Sequence, residues 1–175
     1  MRDAAAVRPA SGIPQRPGAL LVLRLSLAIV HLLALGIGLG AVFARSRHLA
    51  ALPTQPGALT RAFAADNWWG LAALLWVGSG LWRAFAGTEK ASAYYWAQPV
   101  FWIKMGLLGA IVLLELWPMV TLVRWRIAQS RGTLPALEAL RAPARTIAVI
   151  SAVQVALTVA LVVPATMLAR GYGAR

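Results

Sequence analysis

The stretch Phe101 to Arg126, FWIKMGLLGAIVLLELWPMVTLVRWR, places two ionisable residues, Lys104 and Glu115, inside a segment otherwise suited to lipid. An α-helix needs about 20 apolar residues to cross a hydrocarbon core of about 30 Å. Peptide groups find no water there, so a single run of this length and composition is satisfied only as a helix. A charge near the bilayer centre costs roughly 2.5–3.5 kcal/mol on insertion scales, which turns Glu115 toward protein or water. At about 100° per residue, Lys104, Ile111, Glu115 and Leu122 share one helix face, with Pro118 near it. The two charges stand about 16 Å apart along the axis, too far for a direct ion pair. Glu115 therefore takes a partner from another helix or stays neutral, whereas Lys104 can snorkel to the nearer interface.

Similar runs occupy Ala19 to Ala44, Asn67 to Ala86, Pro99 to Val123 and Thr146 to Ala169. They predict an all-α polytopic membrane protein, a four-transmembrane-helix bundle over residues 19–170. A disordered tail is expected at 1–18, which is rich in Pro, Gly and Arg, and a short tail at 171–175. The chain is 60% hydrophobic and 13% charged, which sets it apart from soluble domains. The first run exceeds a signal-peptide core in length and lacks a clear cleavage site, so it is expected to stay as a helix. The 17 Lys and Arg against 5 Asp and Glu would suggest nucleic acid in a soluble protein. Here the cations sit at the ends of apolar runs, where they set orientation and meet anionic headgroups, so the bilayer is the expected partner and nucleic acid is not. Cysteine is absent, which excludes disulfides and thiolate-built metal sites.

The first run carries Arg24 and His31 as i, i+7 neighbours, then Gly36-x-x-x-Gly40, a spacing that lets a second helix approach closely. Arg45-Ser46-Arg47-His48 is read as its interfacial end. Residues 58–65 suit a short amphipathic segment, with Asp66 as the N-cap of the second helix. Trp68, Trp69 and Trp82 form aromatic belts around that helix. Trp76, between them, packs over the small residues Gly78, Ser79 and Gly80, or stacks on a cofactor. Pro118 is expected to kink the third helix beside Glu115. Residues 133–140 suit a short interfacial helix. Ser151, Gln154 and Thr158 then draw one polar stripe along the fourth helix, with Gln154 the best-placed partner for Glu115 or His31. The predicted buried polar site is thus His31, Glu115 and Gln154, with Arg24, Lys104 and Trp76 as secondary candidates. Counting the Lys and Arg that flank the runs favours the loops after the first and third helices as cytoplasmic.

The segments HLLALGIGLGAVFARSR, FAADNWWGLAALLWVGSGLWR, EKASAYYWAQPVFWIKMGLL and LWPMVTLVRWR, in that order, resemble a family of predicted bacterial inner-membrane proteins filed as a domain of unknown function. That resemblance implies location and fold but no activity. A more distant likeness is to four-helix membrane protoporphyrinogen oxidases and copper-resistance D proteins, through a histidine in the first helix, here His31, and a lysine opening a later one, here Lys104. The departure is the lack of further intramembrane histidines, since His48 sits at an interface and Glu115 stands in the third helix. Bis-histidine haem ligation within one chain is therefore not expected, and a pairing of His31 with Met105 or Met119 is only a conceivable substitute. Met1, Met105, Met119 and Met167 make no soft-ligand copper cluster.

Three functional readings follow. A non-enzymatic membrane protein would use its polar cluster for packing, for a partner that could be a second copy, or for a small ligand. A haem-binding oxidoreductase or haem handler would use His31, with haem as its cofactor. A proton-coupled carrier would use Glu115 and Lys104, within a homo-oligomer because four helices enclose little space. No motif for a nucleophile, a phosphate loop or metal-assisted hydrolysis is present in the sequence, which favours the first.

Overall fold

A computed structural model describes residues 17–86 and 92–172. It contains α1 (Pro17–Ala50), α2 (Ala58–Phe85), the short α3 (Ser92–Trp96), α4 (Pro99–Ser130) and α5 (Leu137–Ala169). Residues 1–16 of the tail expected at 1–18, residues 87–91 and residues 173–175 lie outside the described residues, and the last two residues assigned to that tail, Pro17 and Gly18, instead open α1. Three helical segments, Gly18–Ala50, Pro99–Ser130 and Leu137–Ala169, are long and apolar enough to cross a membrane. The second helix falls short of that standard, because Asp66, Asn67, four tryptophans and Arg83 dilute its apolar residues.

The long helices alternate in direction. α2 packs along α1, α1 along α5, and α5 along α4, while α4 and α2 meet through side chains. Outward faces stay apolar: Leu21, Leu33, Leu74, Leu113 and Val163 are all strongly exposed. A soluble monomer rarely exposes apolar surface so continuously, whereas lipid requires it.

Several boundaries differ from the sequence expectation, and packing explains each. α1 runs past Ala44 to Ala50, since Val42, Arg45 and Leu49 are buried at helical spacing. The amphipathic segment at 58–65 is the beginning of α2, with Ala58, Leu59, Ala62 and Phe63 buried, so Asp66 lies within the helix and is not its N-cap. The residue at that position is Gly57, at φ 72°. Residues 137–140 likewise open α5, which continues through Pro143 because Leu140, Ala144, Ile147 and Ala148 form one unbroken buried stripe. α4 ends in a Schellman motif: Gly132, at φ 67°, donates to the Gln129 carbonyl at 3.1 Å and Thr133 to Ala128 at 2.9 Å. Pro118 is buried, and α4 is continuous through it. Close helix approach falls at Gly38 and not at the predicted Gly36 and Gly40. A Cβ at Gly38 would lie 3.3 Å from that of Ala72, whereas one at Gly36 or Gly40 would meet nothing within 4 Å.

The core has two apolar layers. One, at the α1–α2 and α4–α5 loops, joins Leu49, Leu59, Phe63, Leu122, Trp125 and Ile147. The other, further along the bundle, joins Val42, Trp69, Trp76, Ile111 and Leu161. Every long helix places a polar residue between the two layers: Arg45, Asp66, Glu115, and Ser151 with Gln154.

Candidate functional site: a buried arginine layer and a cationic cavity

Arg45 is completely buried, at 0% exposure, and all its polar nitrogens are used. Nε donates to Ser151 Oγ at 3.0 Å. Nη1 donates to Asp66 Oδ1 at 2.7 Å and to Glu115 Oε1 at 2.6 Å. Nη2 donates to Glu115 Oε2 at 2.7 Å and to Gln154 Oε1 at 2.9 Å. The guanidinium fork thus grips Glu115 with two parallel bonds, the geometry in which arginine differs most from lysine.

The layer extends sideways. Asp66 gives its second oxygen to Arg126 Nη2 at 2.8 Å, and the same nitrogen reaches the Phe63 carbonyl at 2.8 Å. Arg126 Nη1 also donates to Asn67 Oδ1, and its guanidinium carbon stands 5.1 Å from the Phe63 ring centre. Gln154 Nε2 closes the other edge on Glu115 Oε2 at 2.8 Å and the Ile111 carbonyl at 3.1 Å. Two cations and two carboxylates therefore share one layer with no net charge. A buried ion is tolerated when it is paired and hydrogen-bonded; Arg45 meets that condition in full, whereas Nε of Arg126 is buried without a partner among the described residues. Thr158 continues the stripe on α5 and is buried, but its hydroxyl finds no partner among the described residues. Ser46 adds a bond between α1 and α5, its hydroxyl donating to the Ala148 carbonyl at 2.8 Å.

His31 is not in this layer. Its Nδ1 lies 3.0 Å from Ser79 Oγ, and its ring centre is 6.1 Å from that of Trp76. Ser79 spends its single proton on the Leu75 carbonyl at 2.5 Å, so the imidazole is the donor to the serine oxygen, and Nε2 keeps its lone pair. The absence of a side chain at Gly80 makes room for the ring, since a Cβ there would sit 2.9 Å from His31 Cε1.

Beside His31, all four long helices and α3 surround a cavity of about 380 Å³. Arg83, Lys104 and Arg170 line it, together with Tyr95 and an apolar wall that includes Leu35 and Leu161. A smaller recess of about 40 Å³, lined by His31, Lys104 and Met105, adjoins it.

The six sequence candidates are thus distributed between two places. Glu115 and Gln154 meet each other in the arginine layer. His31, Lys104 and Trp76 meet around the cavity, and Arg24 joins neither, being exposed on α1. Sequence reasoning passed over Arg45, Asp66, Arg126 and Ser79. Arg45 had one available signal, its helical register with the small and apolar residues Gly38, Val42 and Leu49. Among the described residues no group of three or more His, Cys, Asp or Glu is arranged to hold a metal ion.

Apolar helices of spanning length, lipid-facing outer surfaces and a neutralised ionic layer inside define a multi-pass helical membrane protein. More particularly, the chain belongs to the family described as Predicted membrane protein (DUF2214), whose model matches residues 23–173. No curated protein and no solved structure matches it.

Proposed function

We propose that this chain is a non-enzymatic protein of the bacterial inner membrane, with four spans, that holds a small ligand in the cavity beside His31. The observation that carries this reading is the contrast between the two ends of the bundle. At the loop end, polar groups are consumed by one another around Arg45. At the other end, Lys104 and His31 face a space of about 380 Å³, within the range of about 300–1,000 Å³ common for ligand sites. The arginine layer then serves as a clamp that fixes the helices around the cavity.

A fourth span by α2 is supported by its outer face, where Trp68, Leu71, Leu74, Leu75, Leu81 and Trp82 are exposed. The loops after α1 and α4 are assigned to the cytoplasm. Arg45 is removed from the flanking charges as buried, but Arg47, Arg61, Arg124, Arg126, Arg131, Arg141 and Arg145 remain on that side.

The test is native mass spectrometry of the full chain purified in a neutral detergent, beside Ala165→Trp, which fills the cavity. The wild type is expected to retain a small-molecule adduct that the variant lacks. Identical spectra for the two folded proteins would overturn the reading.

Haem binding through His31 is the alternative with a specific support. The free lone pair of Nε2 can ligate iron, and Met105 lines the adjoining recess whereas Met119 faces outward. A Soret band lost in His31→Ala is its expected signature, and a colourless protein from haem-supplied cells would refute it. Proton carriage by Glu115 gains no such support, since both its oxygens are engaged by Arg45.

A further inference from the structure

The cavity beside His31 has a one-sided charge. Among the described residues that line it, Arg83, Lys104 and Arg170 are cationic and none is acidic. The described carboxylates are committed elsewhere: Asp66 and Glu115 to the arginine layer, and Glu138 to Arg141 at 3.1 Å. Lys104 lines both the cavity and its adjoining recess, and it makes no hydrogen bond or ion pair among the described residues. An ammonium at membrane depth without a counter-charge is costly, and a bound anion would remove that cost. The remaining wall is largely hydrocarbon, with Leu32 and Leu35 from α1 facing Leu161, Val162 and Leu168 from α5. A small hydrated anion would leave that wall in contact with water, whereas an alkyl chain would cover it.

From this juxtaposition we infer that the cavity takes an anionic amphiphile. A phosphate or carboxylate head seats on Lys104, in the part of the cavity that Arg170 also lines, and the hydrocarbon tail lies along the apolar wall between α1 and α5. The inference rests on the ligand-binding reading above and names the ligand's class. Lys104 supplies a compact charge with three donors, which suits a phosphate approached from one side. Trp76 and Tyr95 also line the cavity.

The test uses the full chain in phosphatidylcholine nanodiscs and three probes: decyl phosphate, decanol and inorganic phosphate. Binding is read by native mass spectrometry and by the shift in Tm, for wild type, Lys104→Gln and Lys104→Arg, with circular dichroism as the check of folding. Decyl phosphate is expected to bind wild type at one saturable site. Its affinity should fall roughly tenfold or more in Lys104→Gln, in line with loss of a charge-assisted hydrogen bond, and should largely return in Lys104→Arg. Decanol binding as tightly as decyl phosphate would overturn the anionic class while leaving a cavity ligand intact. Inorganic phosphate binding as tightly would overturn the amphiphile and leave a free anion as the ligand. Equal affinity of decyl phosphate for wild type and a folded Lys104→Gln would overturn the role of Lys104. If no probe binds and the purified wild type also carries no adduct, the underlying ligand-binding reading fails with it.

Discussion

Replacing Arg45 by alanine removes hydrogen bonds to three other helices at once, and the geometry indicates where the cost falls. Asp66 keeps Arg126 on Oδ2 at 2.8 Å after the truncation. Glu115 keeps only the Gln154 amide on Oε2, and its Oε1 loses its partner, although the side chain is only 20% exposed. Leaving one ion of a buried pair uncompensated typically costs about 3–5 kcal/mol. Most of that should come from Glu115, so Arg45→Ala is expected to destabilise by about that amount. The double variant Arg45→Met with Glu115→Leu, which removes both charges, should recover most of it, because a buried ion pair replaced by apolar side chains is often near neutral. The assay is equilibrium unfolding in mixed micelles of a neutral detergent and dodecyl sulfate. With eight tryptophans, four of them on α2, intrinsic fluorescence reports the transition. Exposed Arg47→Ala serves as the control. If Arg45→Ala falls within about 1 kcal/mol of that control, the buried layer is not a clamp and the argument from desolvated charge collapses.

Further outcomes are expected from the same geometry. Glu115→Gln cannot accept the two-pronged guanidinium bond, so it should lower unfolding stability by about 1.5–3 kcal/mol; an unchanged curve would contradict the distances above. Asp66→Ala and Arg126→Ala share a bridge, so their double-mutant cycle should show coupling of about 0.5–3 kcal/mol, whereas strict additivity would deny it. Gly80→Ala drives a methyl group into His31 and should cost about 1–3 kcal/mol, while Gly36→Ala and Gly40→Ala should stay near wild type, all read by the same unfolding assay.

Much of the architecture was legible in the sequence because lipid leaves few choices. Apolar length and the cost of a bare peptide group mark the helices Ala19 to Ala44, Pro99 to Val123 and Thr146 to Ala169 well, to within a few turns. The ends were less legible for a physical reason. Arginine near the end of an apolar run is usually an interfacial anchor, and Arg45 and Arg47 look alike in a sequence. One is wholly buried and the other exposed, and only the register with Gly38, Val42 and Leu49 separates them. Asp66 was misplaced for a related reason, since an acidic residue ahead of an apolar run has the signature of a cap. It lies inside a helix whose earlier turns, around Leu59 and Phe63, are held by packing against α4 and α5.

The separation of His31 from Glu115 was partly legible: aligning the Arg-x-Arg ends of α1 and α4 sets Glu115 about 7 Å nearer those ends than His31, but the actual axial offset depends on how far each helix projects beyond its loop. Gln154 was legible as a partner for Glu115 because the stripe Ser151, Gln154 and Thr158 is polar on an otherwise apolar helix. The cavity was not legible at all. It is a space between helices, and although His31, Lys104 and Trp76 stand out in the sequence, nothing there shows that they border one space.

Chain order imposes a schedule on the arginine layer. Asp66 follows Arg45 by 21 positions, Glu115 by 70, and Ser151 and Gln154 by 106 and 109. As the polypeptide emerges from the ribosome, the α1–α2 hairpin already contains one carboxylate for its buried arginine. Glu115 then brings a surplus negative charge that Arg126, on the same helix, offsets before that helix is complete. The serine and the amide arrive last. Within the layer, each buried charge therefore has a counter-charge on the same hairpin or the same helix, and the final helix adds only uncharged hydrogen-bond partners.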